Sequence, residues 1–223
     1  MAWDPIWEDI FQKQSWGKYP AEDLIRFIAK NFYAVPSRSE VKILEVGCGP
    51  GANLWYMARE GFTVYGIDGS ETAIKAAQAR LDAEVKGWQG KVTVGDFLNL
   101  PYEDAFFEAV IDNEAIYSNS YEDAKQIYHN IFRVLKKKGK LFIRTFAAGS
   151  YGDGTGLKVG HRAYLVGEGP HLGKGYSRFT DAEDIRDLLG GFDILETELI
   201  TRTIENMTHT IKEFIVVAEK KIG

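Results

Sequence analysis

Cysteine is almost missing from this chain: its 223 residues include one, Cys48. A single thiol rules out an internal disulfide framework and any multi-cysteine metal site. No His neighbours it in sequence to activate it, so it reads as a small residue tolerated in a tight loop and not as a nucleophile. Long apolar runs are missing too, and none approaches the roughly 20 residues a membrane-spanning helix needs. The opening residues Trp3, Asp4, Trp7, Glu8 and Asp9 do not have the pattern of a secretory signal. A soluble, cytoplasmic protein is therefore the expectation. Dense Lys/Arg clusters are absent and the net charge is -5. That argues against a broad grip on a phosphate backbone, so no nucleic-acid partner is expected. The one short basic run, Lys136-Lys137-Lys138, is expected at the end of a helix, where cations suit the dipole. No internal repeat or low-complexity tract interrupts the chain, and its length suits one domain with a substantial core.

What the chain does have is concentrated in Ile43-Leu44-Glu45-Val46-Gly47-Cys48-Gly49-Pro50-Gly51. This reads as a buried strand ending in an acid and running into three alternate glycines. A loop without side chains lets a ligand lie against the backbone, and the helix after it offers free N–H groups in its first turn. The spacing also satisfies the dinucleotide fingerprint through Gly47, Gly49 and Ala52. A tight strand-to-helix turn with no ligand is the bland alternative. The loop is a nucleotide-type site in the first two readings.

Around it, strand-like and helix-like patterns alternate, which points to a mostly parallel α/β sheet. Pro20 opens a helix bearing Leu24, Phe27, Ile28 and Phe32. Strands are expected at Val41–Val46, Thr63–Ile67, Lys91–Val94, Ala109–Ile111 and Lys140–Phe146. Helices are expected at Ala52–Glu60, closed by Gly61, then after an Ser70 cap, and then after an Ser120 cap, the last ending at Gly139. From Ala147 to Ser177 the chain is studded with glycines, and a loop this long is usually functional or disordered. Thr180 and Glu183 form an expected capping box for a helix over Asp181–Leu189. Asp193–Ile204 and Thr208–Glu219 then read as a terminal antiparallel hairpin. The division expected is an N-terminal helical cap (1–40), a cofactor-binding core (41–146), a Gly-rich insert or lid (147–179) and a C-terminal helix with hairpin (180–223).

The acid-x-Gly-x-Gly-x-Gly spelling resembles the first motif of the class I S-adenosylmethionine (AdoMet)-dependent methyltransferases of small-molecule type. Leu135 to Phe142 and the Phe179-Thr180…Gly191-Phe192 segment are similar to two further segments of that family. One departure is Lys138, where the family usually has the first of two glycines. The resemblance spans about Val41 to Lys220. It implies a three-layer α/β/α sandwich with a seven-stranded sheet in the order 3-2-1-4-5-7-6, strand seven antiparallel. A nicotinamide-binding oxidoreductase, the rival reading, ordinarily lacks that hairpin ending. A protein that binds AdoMet without catalysis is the third.

The resemblance also implies site residues. Gly47, Cys48, Gly49, Gly51 and Asn53 would lie along the methionine end and ribose, with Glu45 holding the methionyl group. Asp68, with Gly69 and Ser70, would take the ribose hydroxyls. Asp96 would accept from the adenine amine and Phe97 would pack on the ring. Asp112 and Asn113 would pass close to the sulfonium and amine. Trp16, Lys18 and Tyr19 are expected to line the site from the leader, whose aromatics Trp3, Trp7 and Phe11 would suit an apolar or aromatic acceptor. Candidate bases are Glu114, Tyr117, His161 and His171, while His129 and His209 read as structural. The acceptor, a small molecule, and the oligomeric state are not named by these residues.

Overall fold

The computed structural model describes residues 3–221. A seven-stranded sheet forms its middle layer. β1 (Lys42–Val46), β2 (Thr63–Asp68), β3 (Gln89–Val94), β4 (Phe107–Asn113) and β5 (Leu135–Phe146) run parallel; β9 (Phe192–Ile204) and β10 (His209–Lys220) close the chain. Their spatial order is β3-β2-β1-β4-β5-β10-β9. β10 is antiparallel to both of its neighbours. Counted within this sheet alone, the order is the expected 3-2-1-4-5-7-6.

Side chains alternate across each strand, so successive residues feed opposite layers. Ile43, Ala109, Ile111, Phe142 and Ile215 pack on α2 (Glu22–Phe32), α3 (Ala52–Arg59) and α4 (Glu71–Glu84). Leu44, Val110, Leu141, Ile143, Val216 and Ala218 pack on α5 (Tyr121–Val134) and α6 (Ala182–Leu188). This near-continuous apolar spelling is what a sheet covered on both faces requires. Each fully buried Leu or Ile contributes about 1.5–3 kcal/mol. The helix starts are set locally: Ser70 Oγ accepts from Ala73 N and Ser120 Oγ from Asp123 N.

Three local expectations are corrected. α5 does not run to Gly139; it stops at Val134, because Leu135 already pairs with Phe107 on β4. The five-residue step from Leu135 to Lys140 matches a two-residue step from Phe107 to Ala109. The extra residues bulge out as Lys136–Gly139, so these lysines do not cap a helix; Lys136 instead pairs with Glu108. Second, the capping box is shifted by one residue. Asp181 accepts from the backbone of Glu183 and Asp184, and Asp184 reaches back to Asp181 N. Thr180 is unavailable because its N–H donates to Phe146 O and its hydroxyl accepts from Arg178. Third, the glycine-rich stretch is ordered. It forms loops and a small antiparallel sheet of β6 (Leu157–Gly160), β7 (Ala163–Leu165) and β8 (Tyr176–Arg178).

In the bulge, Lys138 takes φ +59, a left-handed conformation that costs a side chain roughly 1–2 kcal/mol. Lys138→Gly is expected to stabilise the fold by about 1 kcal/mol and raise the melting temperature by about 2–4 °C. A lower melting temperature in a thermal scan would refute this reading of the turn. No helix among the described residues is long and apolar enough to cross a membrane.

Candidate functional site

In open α/β sheets ligands sit beyond the C-terminal strand ends where the order reverses, here between β1 and β4. The glycine loop is folded there by its own backbone. Gly47 N and Cys48 N both donate to Ile67 O, and Gly51 N donates to Cys48 O. Gly47, Gly49 and Gly51 all have positive φ. A Cβ at Gly47 would lie 2.2 Å from the Cβ of Ala115, so no side chain fits. At Gly51 it would meet Ala77 at 2.9 Å, which makes that glycine a packing device against α4 and not a cavity wall. Cys48 is buried; burial, then the charges of Asp68 and Glu45, push its thiol well above the ordinary range.

Asp68 ties this loop to α4. Its Oδ2 accepts from Gly49 N and its Oδ1 from Ser70 N, both at 2.9 Å. Burial raises its pKa, opposed by those backbone donors. Next to it, Glu45 is 2% exposed. Asn53 Nδ2 donates to its Oε1, while Oε2 is buried with no partner among the described residues. Burial first, then the charges of Asp68 and Asp112, drive Glu45 up to about 8 against the opposing Asn53 bond.

These side chains face one cavity of about 500 Å³. Of the sequence-derived candidates, Glu45, Gly47, Cys48, Gly49, Asn53, Asp68, Phe97, Asn113, Trp16, Tyr19, Glu114, Tyr117 and His171 line it. The others do not. Asp112 is buried and fully engaged: Oδ1 accepts from Ala115 N and Ile116 N, and Oδ2 from Tyr128 Oη at 2.7 Å. It fixes the turn after β4. Gly69 is packed against Trp3, Ser70 caps α4, and Asp96 caps the turn beginning at Phe97 through Leu98 N. Lys18 is exposed and outside the wall. His161 lies away from the cavity, its Nε2 2.7 Å from Asp184 Oδ1 and its ring against Tyr121.

The N-terminal segment roofs the cavity. Trp7, Phe11 and Trp16 of and beside α1 (Ile6–Lys13) form a cluster with ring centroids 5.4–6.0 Å apart. Phe11 lies over the glycine loop, 3.4 Å from the position of a Cβ on Gly49. Glu8 latches this roof to the start of α4, accepting from Ser70 Oγ, Thr72 Oγ1 and Thr72 N. Those bonds hold Glu8 down at about 2. Glu8→Ala is expected to free α1 and raise the proteolysis rate of residues 3–16 by about tenfold, with the core's melting temperature little changed. Unaltered cleavage would mean that the aromatic contacts alone hold the roof.

Beyond the loop the cavity is walled by Tyr117, Phe146, Ile211 and His171 together with Glu114, Arg144, Lys174 and Glu213. His171 is buried; ring edges of Tyr117, Phe146 and Phe179 surround it, and burial lowers it to about 4. Sequence reading missed Arg144, Lys174 and Glu213. Arg144 and Glu213 were detectable as charges interrupting apolar strands, but not their meeting.

Unpaired polar atoms collect here. Among the described residues, the cavity wall holds the buried Trp3 Nε1, Trp7 Nε1, Glu45 Oε2, Asn113 Oδ1 and His171 Nε2, none with a hydrogen-bond partner. Buried polar groups without partners are costly, so a set converging on one space marks a place for a polar ligand.

Comparison with known proteins fits this geometry. Residues 37–161, more than half of the chain, match a family model described as a methyltransferase domain. A norajmaline N-methyltransferase of Rauvolfia serpentina is 32% identical over 129 residues, covering 56% of this chain and 42% of that protein. A sterol 24-C-methyltransferase of Eremothecium gossypii is 27% identical over 203 residues, covering 84% and 52%. The chain thus spans about half the length of these relatives. A Burkholderia thailandensis 1,6-didemethyltoxoflavin-N1-methyltransferase, solved with that compound and S-adenosylhomocysteine, has the same fold. It superposes with a TM-score of 0.68 at 16% identity, covering 90% of this chain and 78% of that one. Matched by that family model over its glycine loop and first five strands, the chain belongs to the methyltransferase-domain family.

Proposed function

We propose that this chain is an enzyme that binds AdoMet at the strand tips and transfers its methyl group to a small-molecule acceptor in the far half of the same cavity. The observation that carries this is the placing of Asp68 and the Glu45–Asn53 couple around the glycine loop. The donor set fits the cofactor. Glu45 Oε2 is an unsatisfied acid positioned for an ammonium. Asp68 keeps a lone pair on each oxygen beyond its two backbone bonds, enough for two ribose hydroxyls. Phe97 offers a flat apolar wall for a purine, with Asp96 beside it.

When bound, AdoMet supplies a methyl group on a sulfonium already activated for displacement. The chain's part is placement. The glycine loop brings backbone close, the aromatic roof excludes water, and the wall of Tyr117, Phe146 and His171 seats the acceptor. Holding two reactants in line contributes up to about 7–11 kcal/mol. Residues 147–179 serve as an insert that supplies His171 and Lys174 to that wall.

Calorimetry with AdoMet, S-adenosylhomocysteine and NAD tests the reading. Binding of the first two and not of NAD is the expected result. NAD binding without AdoMet binding would overturn it and restore the oxidoreductase alternative.

A further inference from the structure

The far half of the cavity holds an acid pair clamped by one guanidinium. Glu114 stands at the end of β4 with φ +57, a left-handed conformation unusual for a side-chain-bearing residue. Such strain persists where the surroundings enforce it, and it gathers at functional sites. Here Glu114 N donates to Arg144 O at 2.8 Å. Its carboxyl reaches Arg144 Nε at 2.9 Å, off the line of the N–H bond. The same guanidinium donates through Nη2 to Glu213 at 2.8 Å. Glu213 is buried and shares this guanidinium with Glu114. Two acids on one guanidinium do not both ionise easily, and the neighbouring charge of Glu213 adds to burial in raising Glu114. Arg144 comes from β5, Glu213 from β10, Arg202 from β9 and Lys174 from the loop before β8, and all four line the cavity with Glu114.

Resting on the methyl-transfer reading, we propose that Glu114 is the general base that takes the proton of the acceptor's nucleophile, with Glu213 and Arg144 positioning its carboxyl. The acceptor class is then a small molecule whose nucleophile is a hydroxyl or N–H group. The O–H or N–H bond breaks and its proton goes to the Glu114 carboxylate. The electron pair stays on oxygen or nitrogen and forms the new bond to the methyl carbon. The pair of the broken carbon–sulfur bond leaves with the sulfur.

Glu114 is better suited than the neighbouring candidates. Burial is the largest influence on it. Together with the contact and charge of Glu213, it lifts Glu114 to about 8 against Arg144 and Arg202, while a side chain 29% exposed keeps it open to the cavity. A base serves best near the working pH. His171 is a far weaker proton acceptor, and the Tyr117 phenol is pushed up by burial.

The test uses the full chain, AdoMet, and two probe acceptors, phenol and thiophenol. Thiophenol ionises readily in neutral buffer and needs no base. E114Q is expected to lose about 10²–10⁴-fold in phenol methylation and to stay within threefold for thiophenol. With AdoMet saturating at every pH, so that Glu45 does not enter, the rising limb of the phenol pH profile, near 8 in the wild type, should move toward the ordinary carboxylate range in E213Q. Equal losses with both probes, or an unmoved limb in E213Q, overturn the proposal. A second arm needs no turnover: carbon-13 NMR of labelled Glu carboxyls in the S-adenosylhomocysteine complex, the Glu114 signal being the one missing in E114Q. Titration of that signal near 8 supports the proposal, and titration below 5 overturns it. Failure to bind AdoMet, or transfer to neither probe, counts against the parent reading, and the carboxyl titration still decides the state of Glu114.

Discussion

Asp68→Ala is expected to weaken AdoMet binding about 100-fold, measured by titration calorimetry. Asp68 does two things at once. It accepts the N–H groups of Gly49 and Ser70, so it sets the distance between the glycine loop and the start of α4. It also presents its remaining lone pairs to the cavity. Alanine leaves two backbone donors without an acceptor, a cost of about 1–3 kcal/mol each where water cannot replace it. It also removes a charge-assisted bond to the ligand of about 1.5–3 kcal/mol. The first loss falls mostly on the free protein and lowers its melting temperature. The second falls on the complex, and about 2.8 kcal/mol there is 100-fold. Asp68→Asn separates the two. Its single carbonyl oxygen can keep one backbone bond, so stability should recover more than affinity does. If Asp68→Ala binds AdoMet within threefold of wild type, the cavity is not a ribose site and the functional reading fails with it.

The parts of this fold that local chemistry dictates were legible in the sequence. Glu45 through Gly51 could be read because a buried strand, an acid and alternate glycines serve one purpose together. Ser70 and Ser120 announced their helices because capping acts within three residues. Legibility ended where a distant segment decided. Leu135 is a good helix former, yet pairing with Phe107 on β4 takes it into the sheet. Thr180 had the right spacing for a cap, but its backbone was already bonded to Phe146. The strands of the small sheet are three or four residues long, too short to display a period.

The site divides the same way. Its cofactor half comes from one contiguous motif and two strand ends, so most of its lining was anticipated. Gly51, Gly69, Ser70, Asp96 and Asp112 fall outside the wall; Asp112 stands at the right strand end, but Tyr128 and the turn after β4 claim both of its oxygens. The far half is assembled from β4, β5, β10 and the glycine-rich insert. His161 and His171 are ten residues apart in an irregular segment, and nothing local says which turns inward. Asp184 holds the first outside, while aromatic edges enclose the second. Glu114 and Glu213 are brought together only because β10 lies beside β5 in the final sheet order.

Replacing Glu45 should remove a proton from the binding reaction. Glu45 is raised from 4.5 to about 8 in the folded chain, chiefly by burial. Between those pH values the folded protein holds a proton that the unfolded chain has released. Stability contributed by this group is therefore full below about 4.5 and declines as pH rises through about 8. The latch at Glu8 acts in a separate window: its bonds are lost only as pH falls from 4.5 toward about 2. A ligand ammonium beside Glu45 Oε2 favours the ionised acid, so AdoMet binding at pH 7 should expel the proton. Affinity should then rise by up to about tenfold per pH unit until about 8. Calorimetry in buffers of different ionisation enthalpy counts that proton. The wild type should release close to one more than Glu45→Gln does, and the pH dependence of its melting temperature between 5 and 8 should flatten in the variant. Glu114 also titrates high, but it is present in both proteins and cancels from the difference. An identical proton count in the two would mean that no cation settles against Glu45, and the methionyl end of the cofactor would have to be placed elsewhere in the cavity.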